Sequence, residues 1–154
     1  MKCKIVVMAL ASLYATEAPG RNIVMVSNIT NDATNYGSVL IDLDMLASNS
    51  ARREFWSYIF TRSGSDYVRG ANDTEADCGK GSVRYVRRKM FTDAHTLSGE
   101  LDQPTRWTKP ALRSPEAKML RLVCGIEKPS EADLLGDVDP IALSDPLLNN
   151  PKFR

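Results

Sequence analysis

The chain has 154 residues, 43% of them hydrophobic and 25% charged, with a formal net charge of +1. That length and composition describe one globular domain large enough to bury a real core. Near-neutrality excludes a general polyanion binder, because nonspecific nucleic-acid affinity comes mainly from neutralising phosphates.

At the start, Lys2 and Lys4 give a short positive segment, residues 5–13 are apolar apart from Ser12, and Ala15 and Ala18 supply a small-x-small pattern. Together they predict a removable export signal over residues 1–18, with an ordinary buried strand or helix as the alternative. The apolar run is far shorter than the roughly 20 residues a spanning helix needs, and no later run comes closer, so no membrane span is expected. Removal of the leader takes Cys3 with it and, with Lys2, Lys4 and Glu17 gone, brings the formal charge to zero. Cys78 and Cys124 then remain in a chain sent to the periplasm, the outer surface or the extracellular space. In such a compartment an even pair of cysteines predicts one disulfide. Without export, two buried free thiols are the alternative.

The following elements read mostly as strands. Residues 22–28 and 38–44 are short apolar runs separated by an Asn-, Asp-, Thr- and Gly-rich turn, which fits two antiparallel strands. In the second run, Val39, Ile41 and Leu43 fall on one side and Asp42 and Asp44 on the other. These acids read as solvated carboxylates at a sheet edge. Residues 52–61 are dense in aromatics, with Trp56, Tyr58 and Phe60 on one face and Phe55, Ser57 and Ile59 on the other. This is the strongest core-strand candidate. Residues 67–78 form a strand interrupted by Gly70, and residues 79–81 reverse the chain into a basic strand at 82–92, so Cys78 closes one strand just before a hairpin turn. A further short strand is expected at 97–101, and an extended link at 106–109 ends at Pro110.

The helix signal comes next. Ser114 is a good N-cap, Pro115 suits the first helical position, and Glu116 places a negative charge in the first turn. Ala117, Leu120 and Cys124 recur on one face, and Gly125 marks the end. The tail, residues 126–154, is acidic and carries Pro129, Pro140, Pro146 and Pro151, which prevent any long element. Its residues 130–135 fit a helical turn or two. The apolar pairs Leu134–Leu135 and Leu147–Leu148 suit a segment that covers a sheet face in cis, with disorder as the rival. The expected fold is therefore α+β: an antiparallel sheet of about five to six strands packed against one C-terminal helix, with one disulfide, over residues 19–125.

Charge is uneven along this frame. Residues 80–89 carry five bases and no acid, and residues 127–145 carry six acids against Lys128. Arg84, Tyr85, Arg87, Arg88 and Lys89 are the candidate partner-binding residues, suited to an acidic host-protein segment, a glycan sulfate or a lipid headgroup. Strict alternation puts Arg84 and Arg88 on one face and Arg87 and Lys89 on the other. The alternative is that these side chains solubilise an exposed face. A nucleic-acid platform is a further possibility for a cytosolic chain, and export removes that partner. A second class of function is self-association, or acceptance of a partner strand, at an exposed sheet edge. The competing class is a small secreted hydrolase using His95, the sole histidine, which lies near Asp93. The serines around it lack nucleophile-elbow spacing, and local sequence supplies no further metal ligands. With no CxxC, GxGxxG or P-loop, no cofactor, metal or catalytic residue is expected.

Taken in order, VLIDLDML at 39–46, EFWSYIF at 54–60, EADC at 75–78 with VRYVRR after it, Trp107 ahead of Pro110, and SPEAKMLRLVC at 114–124 resemble the bacterial surface-adhesin protein E family. The resemblance covers about residues 22–125. It implies a small exported α+β domain whose strand cysteine and helix cysteine are joined, and a non-catalytic binding or envelope-associated role. The founding adhesin binds host matrix and plasma proteins, and many relatives have no known role, so the implied ligand stays unassigned.

Overall fold

Strand β3 (Arg52–Ser63) is the middle strand of the sheet, and its strict alternation explains the architecture. The computed structural model describes residues 22–30, 35–49 and 51–149. The leader expected over 1–18, with Cys3, lies outside them. Around β3 run β1 (Ile23–Thr30), β2 (Asn35–Asn49), β4 (Asp66–Asp77), β5 (Ser82–Phe91) and β6 (Leu97–Leu101), all antiparallel neighbours in a meander. Helix α1 (Pro115–Val123) follows, then a single 3-10 turn (Glu131–Asp133), a short strand β7 (Leu134–Gly136) and helix α2 (Ser144–Asn149). β7 pairs with β1, giving the order β6-β5-β4-β3-β2-β1-β7. The sheet thus has seven strands rather than five or six, and α1 is not the C-terminal element.

Period-two alternation sends side chains to opposite faces of a sheet, and here both faces are covered. Phe55 joins Val24, Ile41, Ala76 and Val83 beneath Met119, Leu122 and Val123 of α1. On the other face Tyr58 and Phe60 join Ile23, Leu40 and Ala71 beneath Leu147 and Leu148 of α2, with Leu135, Val138 and Ile141 packed alongside. The tail is therefore the second outer layer. Burying a Leu or Phe side chain contributes about 1.5–3 kcal/mol, and Phe55, Phe60 and Leu148 are all essentially inaccessible to solvent. Two strongly apolar faces on one strand require two covers, and the chain supplies both.

Helix α1 starts as its sequence dictates. Ser114 Oγ accepts from Ala117 N at 3.2 Å, Pro115 opens the helix, and Gly125 follows in the left-handed region at φ 71°. The buried stripe overlaps the expected one only in part: Ala117 and the adjacent Val123 are buried, Met119 and Leu122 join them, and Leu120 and Cys124 are only partly buried. At the β4–β5 hairpin, Asp77 Oδ1 accepts from Lys80 N at 2.9 Å and Gly81 turns the chain at φ 63°. That turn holds Cys78, which forms a disulfide with Cys124 at a Cα separation of 5.6 Å. The bond is consistent with an oxidising, extracytoplasmic location. Among the described residues no helix is long and apolar enough to cross a membrane.

Of the two acids of β2, Asp44 is exposed, whereas Asp42 requires a correction. Asp42 is 1% exposed on an inner strand flanked by β1 and β3, not at a solvated edge. Its face is the one the tail covers.

Candidate functional site

Between the sheet and the tail lies a pocket of about 340 Å³ lined by Asp42, Trp56, Tyr58, Lys89, Phe91 and Asp139, with Ala71, Pro140 and Ile141 closing it. The register explains the gathering: Asp42 pairs with Trp56, Trp56 with Asp73 and Tyr58 with Ala71, so their side chains share a face across adjacent strands. Asp42 sits at the buried end, where its Oδ1 accepts from Asp44 N at 3.1 Å. Asp139 stands at the exposed rim, its Oδ1 accepting from Ile141 N at 3.0 Å. The Lys89 ammonium lies 5.4 Å from the Trp56 ring centroid. Two carboxylates and three aromatic rings against one lysine make this a pocket of net negative charge with π faces, a setting that attracts organic cations.

Lys89 reaches this pocket because of a bulge. The register steps from Asp73↔Arg87 to Thr74↔Tyr85, leaving Val86 as an extra residue in β5. Strict alternation fails at that point. Arg84, Arg87 and Lys89 share the tail-side face, and Tyr85 and Arg88 share the helix-side face. The five candidate partner-binding residues are therefore not one basic patch. On the tail side, Arg84 Nε donates to Glu75 Oε2 at 2.7 Å, and Arg87 lies 3.6 Å from Asp73 and 3.8 Å from Glu100. Arg84 also stands with Arg52 over Trp107, at 4.8 and 5.6 Å. Most of the basic charge on this face is matched by neighbouring acids. On the helix side, Tyr85 lies beside Glu116, and its phenol is pushed above its ordinary value, first by burial and then by the Glu116 charge.

The tail is locked over the sheet by Arg69 of β4, itself only 4% exposed. Its Nε donates to Ser144 Oγ at 2.9 Å, one terminal nitrogen to Asp145 Oδ1 at 2.7 Å, and the other to Asp93 in the β5–β6 turn. One guanidinium fork thus joins three segments far apart in sequence. His95, in the left-handed region at φ 59°, brings Nε2 to 3.2 Å from Asp145 Oδ2, within ion-pair range although not aligned as a hydrogen bond. Ser144 and His95 therefore both serve the clamp: the hydroxyl accepts from Arg69, and the imidazole faces a carboxylate rather than a hydroxyl. Among the described residues, no cluster of His, Cys, Asp and Glu is placed to hold a metal.

The clamp carries a pH signature. Hydrogen bonding from Arg69, followed by the contact with His95, holds the Asp145 carboxyl below its ordinary range. A depressed folded-state value means stability that is present above the unfolded value of about 3.9 and is lost as pH falls through the folded one. Asp145 is 45% exposed, so solvent screening keeps the expected contribution to about 1 kcal/mol or less. Thermal unfolding from about pH 5 down to pH 2 should show a smaller acid-induced loss in Asp145→Asn than in the parent. Equal losses in the two proteins would assign the acid sensitivity elsewhere.

Comparison with protein-family models, with curated proteins and with solved structures gives no match.

Proposed function

We propose that this chain is an exported, non-catalytic binding module of the cell envelope or surface that takes a small organic cation in the pocket between sheet and tail. The observation that carries the reading is the Lys89 ammonium over Trp56, inside a pocket whose deepest polar group is the buried Asp42 carboxylate. A cation already occupies an aromatic face there, and a ligand ammonium takes the same position by displacing a flexible lysine side chain at small cost. Binding combines cation–π attraction with charge pairing to Asp42 and Asp139, terms that grow as water is excluded. The resemblance to surface adhesins and the disulfide support the exported setting. His95 faces the Asp145 carboxylate of the tail rather than a hydroxyl, which favours the binding reading over the hydrolase alternative.

The test is fluorescence titration of the exported protein with phenethylammonium, monitored at tryptophan. Saturable quenching is expected, with affinity lowered at least tenfold in Asp42→Asn. The same substitution should keep the fold, since the amide oxygen can still accept from Asp44 N, and a thermal midpoint measured alongside separates loss of affinity from loss of structure. Retained affinity in Asp42→Asn, or the absence of quenching, would rule the reading out.

A further inference from the structure

The geometry points to a second binding site on the opposite face, a groove built around Gly70 that takes a free medium-chain carboxylate. It shares only Lys89 with the cation pocket, through that residue's backbone carbonyl, and does not depend on it. Helix α1 covers the β1–β2 side of its face and the start of β5, and among the described residues no helix packs on the remaining part over β4, β5 and β6. There a groove of about 240 Å³ opens. Its walls are Val68, Met90 and Leu101, which are 52%, 45% and 46% exposed. Three large apolar side chains on one patch of an exposed sheet face mark a contact surface rather than a solvated one.

The floor of the groove is a glycine in the interior of a strand, where glycine costs stability and often marks close approach by a ligand. A Cβ built on Gly70 meets only the Ile59 and Lys89 carbonyl oxygens, both at 3.7 Å, so nothing in the fold forbids a side chain there. Both are ordinary van der Waals contacts, and the backbone conformation does not require glycine. A larger residue at 70 would fill the groove.

Charge fixes the occupant. Arg88 lines one end, paired across the strands with Asn72 and Leu101 rather than with an acid. Among the described residues it makes no ion pair, and its Nε is buried with no hydrogen-bond partner. A buried guanidinium donor left unmatched is costly, and a carboxylate supplies the missing acceptor bidentately. Glu116 lines an adjoining cavity together with Tyr85. An apolar trough ending in an unmatched arginine is complementary to an apolar chain ending in a carboxylate, and its volume suits a short acyl chain.

Two-dimensional NMR titration of the exported protein with octanoate tests this. Saturable shifts are expected at residues 70, 88, 90 and 101, with affinity at least tenfold weaker in Arg88→Gln, a substitution at a half-exposed position that keeps the fold. Gly70→Leu should abolish the shifts by filling the floor, and 1-octanol should bind at least tenfold more weakly than octanoate. Equal affinity of octanoate for the parent and Arg88→Gln would overturn the proposal. So would equal affinity for octanol, or a concentration-dependent dimer that Gly70→Leu dissociates, which would give the groove to a second copy of the chain.

Discussion

The double variant Cys78→Ala/Cys124→Ala is expected to lose about 4 kcal/mol of stability. The two cysteines are separated by 46 residues, and releasing that loop returns chain entropy to the unfolded state. Domains of this size have roughly 5–15 kcal/mol in total, so the loss moves the thermal midpoint down by roughly 10–20 °C. The physical reason lies in what the bond connects. Cys78 sits in the tight turn of the β4–β5 hairpin, its amide bonded to Ala51 O at 3.0 Å, and Cys124 caps α1. α1 has nine residues, too short to hold together without tertiary contacts, and the bond fixes it against the sheet. Chemical denaturation with and without reductant checks this: the parent should shift with reductant and the double variant should not. A parent indifferent to reductant would mean that the bond contributes little to folding.

The second large effect concerns the tail. Leu148→Ala should cost about 2–5 kcal/mol, the range for truncating a fully buried leucine. Leu148 is inaccessible to solvent against the Ile23, Leu40 and Phe60 face. Its loss should also raise amide exchange across residues 134–149 more than across α1, because the two covers pack on opposite faces. A change below about 0.5 kcal/mol, the value typical of exposed positions, would show that the tail does not cover the sheet.

Much of the fold is legible in the sequence because local signals agree. Ser114, Pro115 and Gly125 mark both ends of α1, the turn residues at 79–81 mark the β4–β5 hairpin, and β3 announces its two faces through Trp56, Tyr58 and Phe60 against Phe55 and Ile59. The candidate site is much less legible, for two physical reasons. The bulge at Val86 inserts one residue and moves Arg84 to the face of Arg87 and Lys89, and nothing in RYVRRK signals an insertion. Asp42 looks solvated because alternation opposes it to Val39 and Ile41. Its burial depends on a tail about a hundred residues later, whose prolines and acids resemble those of an unstructured segment. Local periodicity assigns side chains to faces; what covers each face is decided by tertiary packing.

Acid sensitivity at Asp145 and the cation pocket are linked through that same cover. Asp139, Pro140 and Ile141 belong to the segment that Arg69 anchors through Ser144 and Asp145. Anything that lifts the tail opens the pocket. Loss of the Arg69 fork should therefore lower affinity for a cation before it unfolds the sheet.

The most direct measurement is a two-dimensional NMR titration of the protein with phenethylammonium, read residue by residue. The account predicts saturable shifts concentrated at Asp42, Trp56, Phe91 and residues 139–141, absent in Asp42→Asn. Shifts confined to other surfaces, or none that saturate, would contradict it.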